Sequence, residues 1–246
     1  MTPPAPALPV LALSFMDLLA QGRPGPAWGL LNRHVEATGD FEDLARLDLA
    51  AAGLPATPWL AVCMGLSGAG KSTLALMLAE ALGAVRVRSD VERKRLFGLA
   101  ATDRAPPDLP LYGSAATQRT YARLGEISAM LLGAGLSVVV DAACLRQHER
   151  EDLRALALAH GAGFALVACE APPARLRARI LARQARGDDA SDATLDVLAL
   201  QQRVREPCPP SWVDCTHRVD NHGTLEALAR QASDLAQALA RQPPTH

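Results

Sequence analysis

The amino-acid sequence predicts an α/β fold in which a five-stranded parallel sheet carries helices on both faces. Short apolar runs alternate with helical patterns through most of the chain, which is typical of a covered parallel sheet. A glycine-rich loop joins the first apolar run to the helix that follows it. The chain has 246 residues, of which 49% are hydrophobic, so it can bury a sizeable core.

The elements are predicted in the following order. Residues 1–10 form a proline-rich leader, and a short helical segment over 14–54 ends at a linker over 55–58. Strands are predicted over 59–64, 84–88, 136–141, 164–169 and 216–219. Helices are predicted from the glycine-rich loop to the C-cap Gly83, over 91–96, from the cap Ser114 to 132, over 149–160, from Pro172 to 186, over 193–205 and over 224–240. We therefore expect a helical unit over 1–55 and an α/β domain over 56–246.

The loop after the first strand carries the most specific motif of the chain. Gly65, Gly70, Lys71 and Ser72 match G-x-x-x-x-G-K-[ST] at every fixed position, and a strand precedes the loop while a helix follows it. Such a loop points successive N–H groups at a phosphate, and the start of the helix adds its own. The phosphate-binding residues are predicted to be Gly65, Ser67, Gly68, Ala69, Gly70, Lys71, Ser72 and Thr73.

This context predicts a P-loop NTPase-type three-layer sandwich that binds ATP with Mg²⁺. Lys71 is expected to reach the β- and γ-phosphates, and Ser72 to place its hydroxyl on magnesium. The alternative is a glycine-rich turn that binds nothing, and the strand and helix on either side argue against it.

Two aspartates stand at the carboxyl ends of predicted strands, beside the glycine-rich loop. Asp141 ends the third strand and is predicted to hold magnesium, directly or through water. Asp90 follows the second strand and is predicted to act as general base for an acceptor hydroxyl or as a ligand of the acceptor. The alternative for each aspartate is a cap of the following helix.

Arginines form a stripe on the helix that begins at Pro172. Arg175, Arg179, Arg183 and Arg186 fall within about 80° on a helical wheel. The stripe predicts a lid that closes on transferring phosphates, with Arg179 and Arg183 as catalytic residues. A solvated helix face remains the alternative.

Composition limits the class of partner and the compartment. The formal net charge is −1, which argues against nucleic acid as a general partner. The five cysteines form no C-x-x-C pair, so we expect no zinc site and a reducing, cytoplasmic location. No apolar run is long enough to span a membrane.

Residues 59–220 resemble the small bacterial P-loop kinases, a group that includes gluconate kinase, chloramphenicol phosphotransferase, the polynucleotide 5′-kinases and the zeta toxins. The resemblance depends on Gly65–Ser72, Arg88–Asp90, Val139–Asp141 and the arginine-bearing lid. A closer resemblance is to the ATP-binding half of bacterial two-domain proteins in which an aminoglycoside-phosphotransferase-like domain precedes a P-loop domain. Stretches similar to 89–95, 120–124 and 186–191 recur in those proteins.

The same comparison gives an interpretation of the N-terminal segment. Residues 15–18, 22–24 and 31–33 resemble the closing helices of the phosphotransferase-like domain, whose catalytic loop and metal-binding Asp have no counterpart here. The resemblance implies a split or truncated form with one activity left. A second copy of the chain or a separate phosphotransferase-like protein is then a candidate partner.

These observations indicate an ATP-dependent kinase that transfers the γ-phosphate to a hydroxyl of a small-molecule acceptor. Two other functions stay open: an ATPase whose acceptor is water, and a non-catalytic module that senses nucleotide. A polynucleotide 5′-kinase is less consistent with the nearly neutral charge.

Overall fold

The computed structural model describes residues 8–47, 54–55, 57–106, 109–186 and 190–241. Three helices come first, over Leu8–Ala20 (α1), Pro24–Thr38 (α2) and Phe41–Ala45 (α3). The strands are Trp59–Met64 (β1), Ala84–Arg88 (β2), Ser137–Asp141 (β3), Gly163–Glu170 (β4) and Thr216–Asp220 (β5). The remaining helices are Lys71–Leu82 (α4), Ser89–Arg95 (α5), Ser114–Gly133 (α6), Gln147–Ala159 (α7), Pro173–Arg186 (α8), Leu195–Val204 (α9) and Leu225–Arg241 (α10), with a 3₁₀ helix over Pro210–Cys215.

The five strands form one parallel sheet in the order β2-β3-β1-β4-β5. Parallel neighbours require crossover connections, and here each crossover contains at least one helix. The strand order reverses at β1, so the loop after β1 lies at the switch point of the sheet, where ligands of open α/β sheets bind. The predicted five-stranded parallel sheet is confirmed.

Both faces of the sheet are buried under helices. One face packs against α4, α8, α9 and α10 through a core that includes Ala61, Cys63 and Val139. The other face packs against α6 and α7 through a core that includes Val62 and Val140. Alternate residues of each strand therefore enter opposite cores, as the pleat of a strand requires. The predicted three-layer arrangement is confirmed.

The N-terminal helices are part of the second core. Phe15 and Trp28 are buried and meet edge to face, with ring centroids 5.3 Å apart. Asn32 of α2 lies against β2, which is an edge strand: its Nδ2 donates to Ala84 O at 3.0 Å, and its Oδ1 accepts from Arg86 N at 2.6 Å. One side-chain amide thus replaces part of a missing neighbouring strand. The division of the chain at residue 55 stays a prediction, but α2 packs directly on the sheet.

Two local predictions were wrong. Residues 8–10 of the predicted leader are the first turn of α1, while residues 1–7 lie outside the described part of the chain. Ser114 is the first residue of α6 rather than its cap, because Gly113 takes the extended N-cap position and Ser114 is already helical. Gly83 does end α4 in the left-handed conformation, as predicted. Within the described ranges, none of the helices has the length and apolar character needed to cross a lipid bilayer.

Candidate functional site

The loop between β1 and α4 has a conformation that depends on its glycines. Gly68 has a φ of 82° and Gly70 a φ of 92°, values that favour glycine. A Cβ on Gly68 would lie 2.5 Å from Leu176 O of α8, and a Cβ on Gly70 would overlap the side chain of Asn221. The loop therefore packs so closely against its neighbours that larger residues do not fit at either position.

The loop carbonyls are held from outside by three side chains. Ala69 O accepts from Arg179 Nη1 at 3.1 Å, from Asn221 Nδ2 at 2.8 Å and from Cys169 Sγ at 3.3 Å. Arg179 also donates to Gly68 O at 3.2 Å. Because these carbonyls bond outward, the loop is arranged as a nest that can turn N–H groups toward an anion, although Ala69 N donates to Leu66 O at 3.1 Å within the loop.

Two further polar contacts involve the loop, one within it and one with α9. Lys71 Nζ donates to Leu66 O at 3.0 Å, so the ammonium group is folded back over the loop. Ser67 N donates to Oε1 of Gln201, on α9, at 2.8 Å. Gln201 was not predicted from the sequence, since it lies 134 positions away and belongs to no motif. Its oxygen is bonded to an N–H group of the phosphate-binding loop.

Asp141 and Ser72, the two predicted magnesium ligands, line the same cavity as the loop, and their role as ligands stays a prediction. Asp141 pairs in register with Cys63 of β1 and is buried, with Oδ2 at 3.3 Å from Arg88 Nε. In the described part of the chain, this oxygen accepts no hydrogen bond. A buried carboxylate oxygen without a hydrogen bond, in a cavity that Ser72 also lines, is a donor set that suits Mg²⁺, which needs few protein ligands when phosphates supply the rest. The residues therefore fit the ion.

Asp90 also lines the cavity, in the first turn of α5, two residues after Arg88, which pairs in register with Asp141. It is half-buried, and no hydrogen bond or ion pair joins its carboxylate to another residue in the described ranges. Tyr112 is its neighbour: burial, and then the Asp90 charge, raise the pKa of this phenol well above its usual range. Arg93 lies over the Tyr112 ring, 5.0 Å from the centroid, and donates to Leu111 O at 2.9 Å. Asp90 therefore retains free acceptor capacity facing the cavity.

The arginine stripe of α8 divides into two parts. Arg179, Arg183 and Arg186 line the cavity, whereas Arg175 is exposed and does not. Arg179 is bonded to the loop, and Arg183 Nη2 donates to Ala193 O at 3.1 Å. The predicted break of the helix after Arg186 falls on 187–189, which lie outside the described residues. In the structure Arg179 supports the loop, and Arg183 and Arg186 bring positive charge to the cavity wall.

One cavity of about 1090 Å³ brings most of these groups together. The cavity is bounded by the phosphate loop, both aspartates and three of the α8 arginines. A wall from α9 closes it further, where the apolar Val197, Leu200 and Val204 share one helix face with Gln201. A smaller hollow of about 420 Å³ beyond the end of β4 contains none of the predicted site residues. The larger cavity has room for a nucleotide and a second small molecule.

The cysteines near the loop are structural. Burial raises the pKa of Cys144 to about 12 and that of Cys169 to about 11. Both thiols are therefore protonated at neutral pH and are poor nucleophiles or metal ligands. In the described part of the chain, no group of three His, Cys, Asp or Glu side chains is arranged to hold a metal ion by itself.

Known structures share this architecture. The chain is similar to a gluconokinase from Sinorhizobium meliloti 1021 (25% identity, TM-score 0.52, covering 75% of this chain and 94% of that one). It is also similar to the Mycobacterium tuberculosis APS kinase CysC in complex with AMPPNP and APS (21% identity, TM-score 0.55, covering 74% of this chain and 99% of that one). A third similar structure is Chaetomium thermophilum Kti12 in complex with ADP-AlF3 (16% identity, TM-score 0.56, covering 74% of this chain and 100% of that one). The fold is that of the P-loop kinases.

Sequence relatives are longer than this chain. Uncharacterized proteins of Mycobacterium bovis and Mycobacterium tuberculosis H37Rv are each 32% identical to it over 179 residues. The match covers 72% of this chain and 34% of each relative, so the chain spans about a third of their length.

The family is defined by the region that contains the loop, the aspartates and the α8 arginines. Residues 60–208, well over half of the chain, match the AAA_33 family, which is described as an AAA domain. The chain belongs to the AAA_33 family of P-loop AAA domains.

Proposed function

We propose that the chain is an ATP-dependent kinase that transfers the γ-phosphate of ATP to a hydroxyl of a small-molecule acceptor. The observation that carries the proposal is that one cavity is lined by the phosphate loop, by the carboxylate Asp141 and by a second carboxylate, Asp90, which has no hydrogen bond or ion pair within the described ranges. An ATPase needs only the first two. The kinases among the similar structures support the proposal at the level of the fold.

The phosphate side of the cavity positions ATP. N–H groups of Gly68 to Thr73 and the start of α4 bind phosphate oxygens, and Lys71 moves from Leu66 O to the β- and γ-phosphates. Ser72 and Asp141 hold a magnesium ion, which when bound neutralises charge on the phosphates. Arg183 and Arg186 add positive charge from α8, while Arg179 fixes the loop that binds the phosphates.

The acceptor side of the cavity prepares the hydroxyl. Asp90 accepts the hydroxyl proton as the acceptor oxygen bonds to the γ-phosphorus. The bond between the γ-phosphorus and the bridging oxygen breaks, and ADP leaves with that electron pair. The net charge of −1 favours a small molecule over nucleic acid as the acceptor.

The test separates acceptor chemistry from phosphate chemistry. Candidate alcohols are screened with Mg-ATP by mass spectrometry, and both acceptor phosphorylation and ATP hydrolysis are then measured for Asp90→Asn and Asp141→Asn. Asp90→Asn is expected to lower acceptor phosphorylation by ~10²–10⁴ with ATP binding retained. Asp141→Asn is expected to lower both reactions and to weaken their magnesium dependence. Asp196→Asn, an exposed position on α9, is the matched control.

Two outcomes contradict the proposal. If Asp90→Asn phosphorylates the acceptor at the parental rate, the acceptor site is elsewhere. If the parent protein releases phosphate at a rate that no alcohol changes, the chain is an ATPase.

A further inference from the structure

A carboxylate outside the matched family region is connected to the proposed magnesium ligands through two arginines. Glu36, near the end of α2, accepts from Arg88 Nη1 at 2.5 Å and also pairs with Arg86 Nη2. The side chains of Arg86, Arg88 and Glu36 are only 8%, 12% and 24% exposed. Burial alone would raise the pKa of Glu36, but the Arg88 and Arg86 guanidiniums outweigh that effect and lower it. Glu36 is therefore a charged partner of two arginines.

Each of these arginines makes a second contact, and each second contact is with a proposed magnesium ligand. Arg86 Nη1 donates to the backbone oxygen of Ser72 at 3.1 Å. Arg88 Nε lies 3.3 Å from Asp141 Oδ2. Through these contacts Glu36 and Asp141 share the guanidinium of Arg88, while Glu36 also pairs with Arg86. Glu36 connects the helix before the sheet to both ligands through one arginine each.

We propose that Glu36 is a positioning residue of the magnesium site. It fixes Arg86 against the start of α4, and it shares the charge of Arg88, so that Asp141 keeps negative charge for the cation. The inference rests on the proposed function, because it assumes that Ser72 and Asp141 bind magnesium. It extends the site to α2, which lies before residues 60–208 of the family match.

Replacing Glu36 by glutamine removes one negative charge and leaves the shape of the side chain nearly unchanged. The site then carries one positive charge more than in the parent, and Arg88 has one carboxylate contact fewer, so its charge acts more strongly on Asp141. Both changes oppose a bound cation, and loss of a residue that orients metal ligands typically weakens metal binding ~10–100-fold. ATP without metal is an anion and does not lose affinity from the added positive charge.

The experiment measures the affinity for ATP by calorimetry, once with excess Mg²⁺ and once with EDTA. For Glu36→Gln we expect the dissociation constant with Mg²⁺ to rise ~10–100-fold, and the constant in EDTA to change less than ~threefold. Glu42→Gln is the matched control, because Glu42 is exposed, lies on the next helix and pairs only with Arg46 in the described ranges. We expect Glu42→Gln to match the parent in both conditions.

Three results overturn the inference. The first is that Glu36→Gln matches the parent in both conditions. The second is that it weakens ATP binding equally with and without Mg²⁺, which is the sign of a purely structural role. The third is that Glu42→Gln shows the same loss. If Glu36→Gln does not fold, Glu36→Asp is measured instead, because it keeps the charge but shortens the reach. We then expect a smaller loss of affinity that is confined to the Mg²⁺ condition. If Glu36→Asp shows no such selective loss, the inference is overturned. A parent protein that binds ATP in neither condition overturns the proposed function itself.

Discussion

Replacing Arg179 by methionine is expected to loosen the phosphate-binding loop. The guanidinium donates to Gly68 O at 3.2 Å, to Ala69 O at 3.1 Å, and to the backbone and side-chain oxygens of Asn221 at 3.1 and 3.2 Å. These bonds join α8, the loop and the end of β5. Methionine retains most of the apolar stem, so the change removes mainly the hydrogen bonds and the charge.

The expected cost follows from those contacts. A hydrogen bond with a charged partner contributes roughly 1.5–3 kcal/mol when buried. Arg179 is half-buried, and each nitrogen divides its bonding between two acceptors, so we count two bonds at the lower value, or about 3 kcal/mol. For a chain of this size, that loss lowers the melting temperature by about 6–12 °C.

Thermal unfolding followed by circular dichroism measures this effect, with Arg177→Met as control. Arg177 lies on the same helix but is exposed, so its replacement is expected to change the melting temperature by less than about 2 °C. The same two variants are then titrated with Mg-ATP, and weaker binding is expected only for Arg179→Met. If the two variants melt at the same temperature, the contacts of Arg179 do not support the loop and the reasoning is refuted.

Three further predictions follow from contacts of the N-terminal helices and of α9. Asn32→Leu leaves Ala84 O and Arg86 N without their side-chain partner at the sheet edge. We expect it to lower the free energy of unfolding, measured by urea titration, by about 2–5 kcal/mol, and a loss below about 1 kcal/mol contradicts this. In the parent, a phosphate competes with Gln201 for Ser67 N, and Gln201→Leu removes that competitor. Calorimetry is expected to show ~2–10-fold tighter ATP binding, and unchanged or weaker binding contradicts this prediction. Deleting residues 1–55 removes Phe15 and Trp28 and uncovers the remaining residues of their core, such as Val85 and Val87. It is expected to cause aggregation in sedimentation runs, whereas a stable, monodisperse product contradicts that expectation.

The sequence predicted the features that local patterns encode. Gly65–Ser72 could be placed because a motif, an apolar strand and a helical pattern occur in a fixed order, and Asp141 because a carboxylate ends an apolar run. The strand number and the two-sided covering follow from the alternation of elements. These signals depend on neighbours in the chain, which are visible without the fold.

Contacts between distant segments carried no such signal. The loop is held by Asn221 and contacted by Gln201, which lie 152 and 134 positions from their partners. Asn32 and Glu36 reach β2 across 52 and 50 positions. Single polar residues on helices are common at the surface, so composition and periodicity do not distinguish them from residues that bond across a core. The role of Arg179 in the loop was missed for the same reason, although its helix face was identified.

Binding of Mg-ATP to the loop Gly65–Ser72 is tested most directly by melting the parent protein and Lys71→Ala with and without Mg-ATP. Linkage predicts a gain of about 2.7 kcal/mol when ATP is at a hundred times its dissociation constant. For the parent, that gain raises the melting temperature by about 5–11 °C. Lys71→Ala loses the ammonium group that lies over the loop, and most of the gain should disappear. A parental melting curve that does not move in millimolar Mg-ATP, or an equal gain in Lys71→Ala, would contradict a phosphate site at this loop.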